Sequence, residues 1–274
     1  METFIELLKS ILFGILQGIT EWLPISSTGH LILLEEFLTF DNRDFFDMFK
    51  VVIQLGSILA VIVVYFRTLF PLSREKGKLR WKKSTLSLWG KVLVGCIPAG
   101  VIGLLIDDFV DNVLSVWYVI AAALILYGIA FILIERVNRT RSFRIHSVEE
   151  IDWKTAFGIG CFQVLALVPG TSRSGSTILG ASLIGVSRKP AAEFSFFLAV
   201  PVMFGASALK LLKFGFHYTG TEILVLLCGS LTAFVVSLAA IRFLISFVRR
   251  HSFEGFGWYR IALGILVILR FVLF

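Results

Sequence analysis

The sequence predicts an all-α polytopic membrane protein with six transmembrane helices and two re-entrant helix pairs arranged as an inverted repeat. Hydrophobic residues make up 57% of the 274 positions and charged residues only 16%, with a mean hydropathy of +0.88. Soluble domains carry about 25% charged residues. Long apolar runs and short paired ones alternate with polar stretches along the chain. These observations indicate that lipid surrounds most of the protein.

Six apolar runs are long enough to cross a bilayer, which takes about 20 helical residues. They are Asp47–Phe66, Leu88–Ile106, Val116–Ile134, Phe194–Phe214, Ile223–Leu244 and Trp258–Phe274. Four further runs are too short to span: Ile11–Leu23, Leu31–Phe40, Thr155–Val168 and Ile178–Val186. They form two pairs, and each pair flanks a polar stretch with Gly and Pro, which is typical of re-entrant loops. Such backbone is tolerated at membrane depth where it is buried in protein or lines a wet cavity.

The two halves of the chain repeat one another. Gly14–Gln17 precedes Pro24–Gly29 in the first half, and Gly160–Gln163 precedes Pro169–Gly175 in the second. A Trp-Tyr pair opens the last span of each half. Three spans per half is an odd number, so the second half is expected to be inverted in the membrane. We expect a single integral membrane domain over 1–274, with one repeat at about 1–135, a cytoplasmic linker at about 136–154 and a second repeat at about 155–274.

The net charge of +7 comes from Lys and Arg that collect in loops between the apolar runs. The richest loops are 67–91, 135–154, 185–193 and 242–260, which the positive-inside rule places in the cytoplasm. The first re-entrant pair then enters from outside and the second from the cytoplasm. The sequence has no basic stripe on a soluble face, so it does not indicate a nucleic-acid partner. The three cysteines lack CxxC spacing, which argues against zinc or a disulfide framework.

The first polar loop carries an acid, an imidazole and several hydroxyls. Gln17 and Glu21 are four residues apart and share a helix face, so they are candidate oxygen ligands for Mg²⁺ or Ca²⁺. Ser26, Ser27 and Thr28 follow and are placed to cap the next short helix, whose N-terminus attracts anions. Charged groups are costly inside a membrane, so Glu21 and His30 are functional candidates. The alternative is that these two residues only pair with each other or with polar neighbours in a sealed core.

The second polar loop is rich in glycines and hydroxyls around one guanidinium. Glycines such as Gly170 allow backbone amides to form an anion-binding nest, and Arg173 suits bidentate phosphate binding. The loop lacks the Lys-Ser/Thr ending of a Walker motif, so ATP is not implied. The alternative is a helix break in which Arg173 only neutralises Glu21. Together the two loops supply the charge neutralisation and positioning that phosphoryl transfer requires.

Three motifs, Gln17–Glu21, Pro24–His30 and Pro169–Thr177, resemble those of the bacterial undecaprenyl-diphosphate phosphatases of the bacitracin-resistance type. The resemblance extends over essentially the whole chain. It implies a bacterial plasma-membrane enzyme that converts undecaprenyl diphosphate to undecaprenyl phosphate and inorganic phosphate for peptidoglycan synthesis. It also implies a divalent cation, with an active site that opens to the outer face.

The resemblance further implies that Ser27 or His30 is the nucleophile. Glu21 becomes the principal metal ligand, because Gln17 stands where the family accepts either Glu or Gln. We expect the diphosphate to be bound by a set of loop residues: Arg173, Ser172, Ser174, Thr177, Gly170 and Ser26. The main rival is a flippase or transporter of polyprenyl phosphate, since inverted repeats with midplane loops are common in transporters. A homo-oligomer is compatible with the sequence.

Overall fold

The computed structural model describes residues 2–75, 78–215 and 217–273, and almost all of them lie in helices. The helices of the first half are α1 (Glu2–Thr20), α2 (Ser27–Glu35), α3 (Arg43–Val52), α4 (Gln54–Val64), α5 (Phe66–Leu69), α6 (Lys83–Phe109) and α7 (Trp117–Asn138). Those of the second half are α8 (Trp153–Gln163), α9 (Arg173–Ile184), α10 (Arg188–Phe214), α11 (Gly220–Val248) and α12 (Glu254–Leu273). Strands β1 (Leu72–Glu75) and β2 (Lys78–Trp81) form one antiparallel pair. A π-helical turn (Val110–Leu114) follows α6, and a 3₁₀ turn (Val164–Leu167) follows α8.

Seven of the described helical segments, not the predicted six, are long and apolar enough to cross a membrane. The additional segment is α1, which extends the predicted short run Ile11–Leu23 towards the N-terminus. Its charged residues are accommodated within the helix, where Lys9 Nζ pairs with Glu6 Oε1 one turn away at 2.6 Å. The helix is therefore longer than the run that the sequence predicts, and by length and composition alone it would suffice to cross a membrane. The other predicted spans are confirmed as α3–α4, α6, α7, α10, α11 and α12.

Three helix pairs organise the packing: α1 against α11, α8 against α6, and α7 against α12. Glycines allow the first two pairs to approach closely. A Cβ added at Gly14 would lie 2.6 Å from the Gly229 carbonyl oxygen, and one added at Gly160 would meet the Gly95 carbonyl. Gly14 and Gly160 occupy equivalent places in the two sequence motifs. Small residues are the usual means by which membrane helices pack without a hydrophobic driving force.

The polar loops lie next to the largest apolar core of the described residues. Trp22 of the first loop is fully buried, and its ring packs edge-on against Phe196 of α10 at 5.2 Å. Helix α9, which follows the second loop, is buried from Ser174 to Ser182. Leucines elsewhere face outward, as at Leu104, which is 80% exposed. The loops are thus enclosed in protein, while apolar side chains cover the outer surface.

Candidate active site

The structure brings Gln17, Glu21 and Arg173 together, as the sequence predicts. Arg173 Nη2 donates to Glu21 Oε1 at 3.1 Å, and Gln17 Nε2 donates to Glu21 Oε2 at 2.8 Å. The partner of Glu21 is therefore Arg173 and not His30, which is the pairing that the helix-break alternative also predicts. Arg173 Nη1 also donates to the carbonyl oxygen of Ser195 at 2.6 Å. The ion pair joins the two loops across 152 sequence positions and fixes the guanidinium at their junction.

The two loops end in matching serine caps. Ser26 precedes α2 and Ser172 precedes α9, and each has a φ of 71°, in the left-handed region. Each side chain accepts a hydrogen bond from a glycine three residues on, Gly29 or Gly175. Non-glycine residues seldom adopt this conformation, and such strain concentrates at functional sites. Each polar loop therefore ends at the N-terminus of a helix, a position that favours anions.

The hydroxyl groups of the second loop form a chain around Arg173. Ser172 Oγ lies 3.1 Å from Ser174 Oγ, and Ser174 Oγ donates to the Leu23 carbonyl oxygen at 3.3 Å. Thr177 is fully buried, and its hydroxyl lies 2.7 Å from Ser195 Oγ. Arg173 reaches the same Ser195 hydroxyl at 3.3 Å. Thr177 therefore supports Arg173 through Ser195, a residue that the sequence analysis missed because a single Ser among phenylalanines carries no motif.

The imidazole of His30 is held by two contacts of 2.7 Å. Its Nδ1 faces the carbonyl oxygen of Ser26, and its Nε2 faces the hydroxyl of Tyr259, whose ring stacks on the imidazole. A carbonyl only accepts, so Nδ1 carries the proton and Nε2 of the neutral ring accepts from Tyr259. The half-buried Ser27 hydroxyl has no hydrogen-bond partner in the described part of the chain. Ser27 and His30 are thus neighbours on α2 without a hydrogen bond between them.

Arg260 is a component of the site that the sequence analysis placed in the wrong part of the chain. Counting it with the cytoplasmic loop 242–260 was wrong, because α12 begins at Glu254 and carries Arg260 into the protein, where it is fully buried. Its Nη1 donates to the Pro24 carbonyl oxygen at 3.2 Å, and its Nη2 donates to those of Gly170 and Thr171 at 2.9 and 3.0 Å. The guanidinium therefore ties both loops together. The sequence did contain an indication of its role, because an arginine within an apolar helix is by default a functional candidate.

Two apolar cavities reach the polar cluster. A cavity of about 660 Å³ lies between α6, the 3₁₀ turn and α10, and its polar lining includes Arg173 and Gln163. We call it the α6–α10 cavity. A second groove of about 450 Å³ lies between α1 and α2, with His30 among aliphatic residues and Phe37. Each combines a charged or polar end with hydrocarbon walls, which suits an amphiphile with an anionic head group.

The described residues contain no group of three or more His, Cys, Asp or Glu placed to hold a metal ion. They do provide the carboxylate of Glu21 and, next to it, the buried Oε1 atom of Gln17, which has no hydrogen-bond partner. One or two protein oxygens completed by phosphate oxygens and water form a usual Mg²⁺ arrangement. Gln17 and Glu21 therefore fit a divalent cation that shares its coordination with a phosphorylated substrate.

Comparison with known proteins places these loops in a defined family context. The family model described as "Bacitracin resistance protein BacA" matches residues 10–266. The chain is 56% identical over 268 residues to "Undecaprenyl-diphosphatase" of Enterococcus faecalis, covering 97% of both chains. It is 54% identical over 269 residues to the protein of that name from Acetivibrio thermocellus, covering 98% of both. The range matched by the family model spans both loops.

Proposed function

This chain belongs to the family of bacitracin resistance protein BacA, and we propose that it hydrolyses undecaprenyl diphosphate to undecaprenyl phosphate and inorganic phosphate. The relatives named above carry the name of this activity. The observation that carries the proposal is the placement of the Arg173 guanidinium in the lining of the α6–α10 cavity. That arrangement offers hydrocarbon walls to an isoprenoid and a fixed cation to its diphosphate. The reaction returns the lipid carrier to cell-wall synthesis, which explains the link to bacitracin resistance.

Arg173 is the principal binding group for the diphosphate. Its Nε atom is buried without a hydrogen-bond partner in the described residues, while its two Nη atoms contact Glu21 and Ser195. A phosphate oxygen that accepts from Nε and Nη2 would replace one bond to Glu21 with a bidentate, charge-assisted contact. Backbone amides at the N-termini of α2 and α9, capped by Ser26 and Ser172, add neutral donors.

The geometry favours His30 as the nucleophile. Nδ1–H is held by the Ser26 carbonyl, which leaves the Nε2 lone pair directed away from the backbone. When the Tyr259 hydroxyl gives way, Nε2 attacks the terminal phosphorus, the phosphoanhydride P–O bond breaks and undecaprenyl phosphate leaves. Water then hydrolyses the P–N bond and releases inorganic phosphate. The competing route has Ser27 attack with His30 as general base, for which the imidazole must first exchange Tyr259 for Ser27.

Glu21 and Gln17 are the residues that would hold Mg²⁺ or Ca²⁺. The unpartnered Gln17 Oε1 beside the Glu21 carboxylate supports this assignment. When bound there, a divalent cation neutralises phosphate charge as it builds up during phosphoryl transfer. With a single formal charge among the protein ligands, such a cation would take further ligands from substrate phosphate oxygens and water. Binding of cation and of substrate is therefore mutually dependent.

We also propose that α1–α2 and α8–α9 are the re-entrant pairs of an inverted repeat whose active site opens to the outer face of the plasma membrane. Equivalent packing of α1 on α11 and α8 on α6, together with the matched serine caps, supports the repeat. The orientation rests on the basic loops.

Single cysteines introduced at exposed Ser115 and Ser142 in a cysteine-free background test this orientation. An impermeant maleimide should label Ser115→Cys but not Ser142→Cys in intact cells, and the reverse result would invert the topology.

The activity is tested with purified protein in detergent, a polyprenyl diphosphate and Mg²⁺. We expect phosphate release without any ion gradient, with loss of release on adding a chelator and in Glu21→Ala. A flippase for polyprenyl phosphate needs a cation to bind the head group but no nucleophile. Absence of release from well-folded wild-type protein, together with transfer of the lipid across proteoliposomes, would support the flippase and refute the hydrolase.

A further inference from the structure

Gln163 is a buried amide that has no partner in the described chain. It ends α8, is only 2% exposed, and neither its Nε2 nor its Oε1 forms a hydrogen bond. It lines the α6–α10 cavity together with Arg173, while nearly all the other lining residues are apolar. Buried polar groups are almost always hydrogen-bonded, so an amide with both ends unpaired needs an explanation.

Comparison with Gln17 shows how this amide lost its internal partner. Gln17 and Gln163 hold the same place in the Gly-x-x-Gln motif of each half. Gln17 donates to Glu21, four residues later, at 2.8 Å. The residue four positions after Gln163 is Leu167, which cannot accept a hydrogen bond and itself lines the cavity. The second half therefore keeps the amide but presents it to the cavity without the carboxylate.

The surroundings restrict what can satisfy this amide. A purely hydrocarbon ligand would fill the cavity and leave both amide atoms unpaired. A cation is disfavoured by the neighbouring Arg173 guanidinium. A molecule with anionic oxygens at one end and a long apolar part satisfies the amide, the guanidinium and the cavity walls together.

We infer that Gln163 is a substrate-binding residue, whose Nε2 donates to a phosphate oxygen of the lipid diphosphate bound by Arg173 in the α6–α10 cavity. This inference rests on the proposed function and adds to it the cavity that accepts the substrate. The isoprenoid chain then lies between α6 and α10, against residues such as Leu104 and Leu209. A neutral donor next to a cation supplies hydrogen bonds to the phosphate without adding a further buried charge.

The test compares Gln163→Leu and Gln163→Glu with wild type in kcat, KM and melting temperature. For Gln163→Leu we expect KM to rise about tenfold with little change in kcat, because one hydrogen bond to a charged group is lost. Gln163→Glu should raise KM further, since a carboxylate repels the diphosphate. The melting temperature of ligand-free Gln163→Leu should equal or exceed that of wild type, because an unpaired buried amide is removed. Asn112→Leu, which removes an exposed amide from the π-helical turn, is the matched control and should leave KM unchanged.

A structural role for Gln163 predicts the opposite pattern. A lower melting temperature of ligand-free Gln163→Leu with an unchanged KM would overturn the inference. If wild-type protein releases no phosphate, the proposed hydrolysis fails, and binding is then measured by the rise in melting temperature on adding a polyprenyl phosphate. Loss of that rise in Gln163→Leu would still support the binding role of the amide, and its retention would overturn it.

Discussion

Replacement of Arg260 by methionine is expected to separate the two loops of the site. The guanidinium is fully buried and donates to the carbonyl oxygens of Pro24, Gly170 and Thr171. Among the described residues no carboxylate forms a salt bridge with it; its nearest aromatic neighbour is Tyr127, whose ring centroid lies 5.5 Å from Cζ. Methionine retains most of the apolar stem and removes all three hydrogen bonds, so the substitution isolates the effect of the guanidinium.

The magnitude follows from opposing contributions. Each buried carbonyl left without a donor costs about 1–3 kcal/mol, which gives roughly 3–9 kcal/mol as an upper bound for the three. Removing a buried cation that lacks a carboxylate partner returns several kcal/mol of desolvation free energy. We expect the free energy of unfolding to fall by about 2–4 kcal/mol, a substantial part of the roughly 5–15 kcal/mol typical of proteins.

Melting in detergent and kcat/KM for phosphate release measure the two consequences. Because Arg260 fixes the backbone on which Ser26 and Gly170 lie, loss of alignment should lower kcat/KM about 100-fold in Arg260→Met. Arg260→Lys keeps the charge but lacks the planar fork, so it should fall between wild type and Arg260→Met in both measurements. Wild-type stability and activity in Arg260→Met would refute the argument that this guanidinium joins the loops.

Three further predictions address other parts of the molecule. His30→Ala should lower kcat at least about 10³-fold. Ser27→Ala should retain activity and still form an acid-labile phosphoenzyme. If the phosphoenzyme forms in wild type but not in Ser27→Ala, the serine route is favoured instead. Gly160→Val should lower the melting temperature strongly, because its side chain meets the Gly95 carbonyl; wild-type stability would contradict that close contact. Asp152 accepts the Thr155 backbone N–H at 2.7 Å, which lowers the pKa of its carboxyl group. The contribution of Asp152 to stability is therefore complete above the unfolded pKa near 4 and is lost as pH falls through the lower folded value. Asp152→Ala should cost about 1 kcal/mol at pH 7, and a difference from wild type that persists at the lowest pH would contradict this assignment.

Much of the site was predictable because its chemistry is unusual for its surroundings. Glu21, His30 and Arg173 are charged or titratable groups in two short polar loops between apolar runs, and that contrast identifies them without knowledge of the fold. The spacing of Gln17 and Glu21 also specifies their hydrogen bond, because residues four apart on a helix are neighbours. Local sequence therefore gives the identity of these groups and the contacts within one helix.

The remaining components depend on contacts between distant segments. Arg260 reaches carbonyl groups 236 and 90 residues away, and its place in an apolar helix does not reveal which distant backbone groups it contacts. Ser195 matters because Arg173 and Thr177 both reach its hydroxyl, a convergence that only the packing of α9 on α10 creates. Helix α1 begins before the apolar run and includes Glu6 and Lys9, which pair with each other at 2.6 Å.

The unequal chemistry of the two halves bears on the choice between enzyme and carrier. An inverted-repeat carrier opens alternately to the two sides of the membrane by moving one repeat against the other. If the two repeats exchanged conformations, a contact made by one loop would break, and the equivalent contact of the other loop would form. The positions equivalent to Glu21 and Arg173 are Leu167 and Ser27, by alignment of the two glutamines and the two serine caps. Exchange would therefore break the buried Glu21–Arg173 pair and form no ion pair in its place. Leaving a buried charge without its partner costs about 3–5 kcal/mol, which would reduce the exchanged state to between about one molecule in 160 and about one in 5,000. The proposed repeat thus builds a scaffold for one fixed site, and its asymmetry favours hydrolysis over transport.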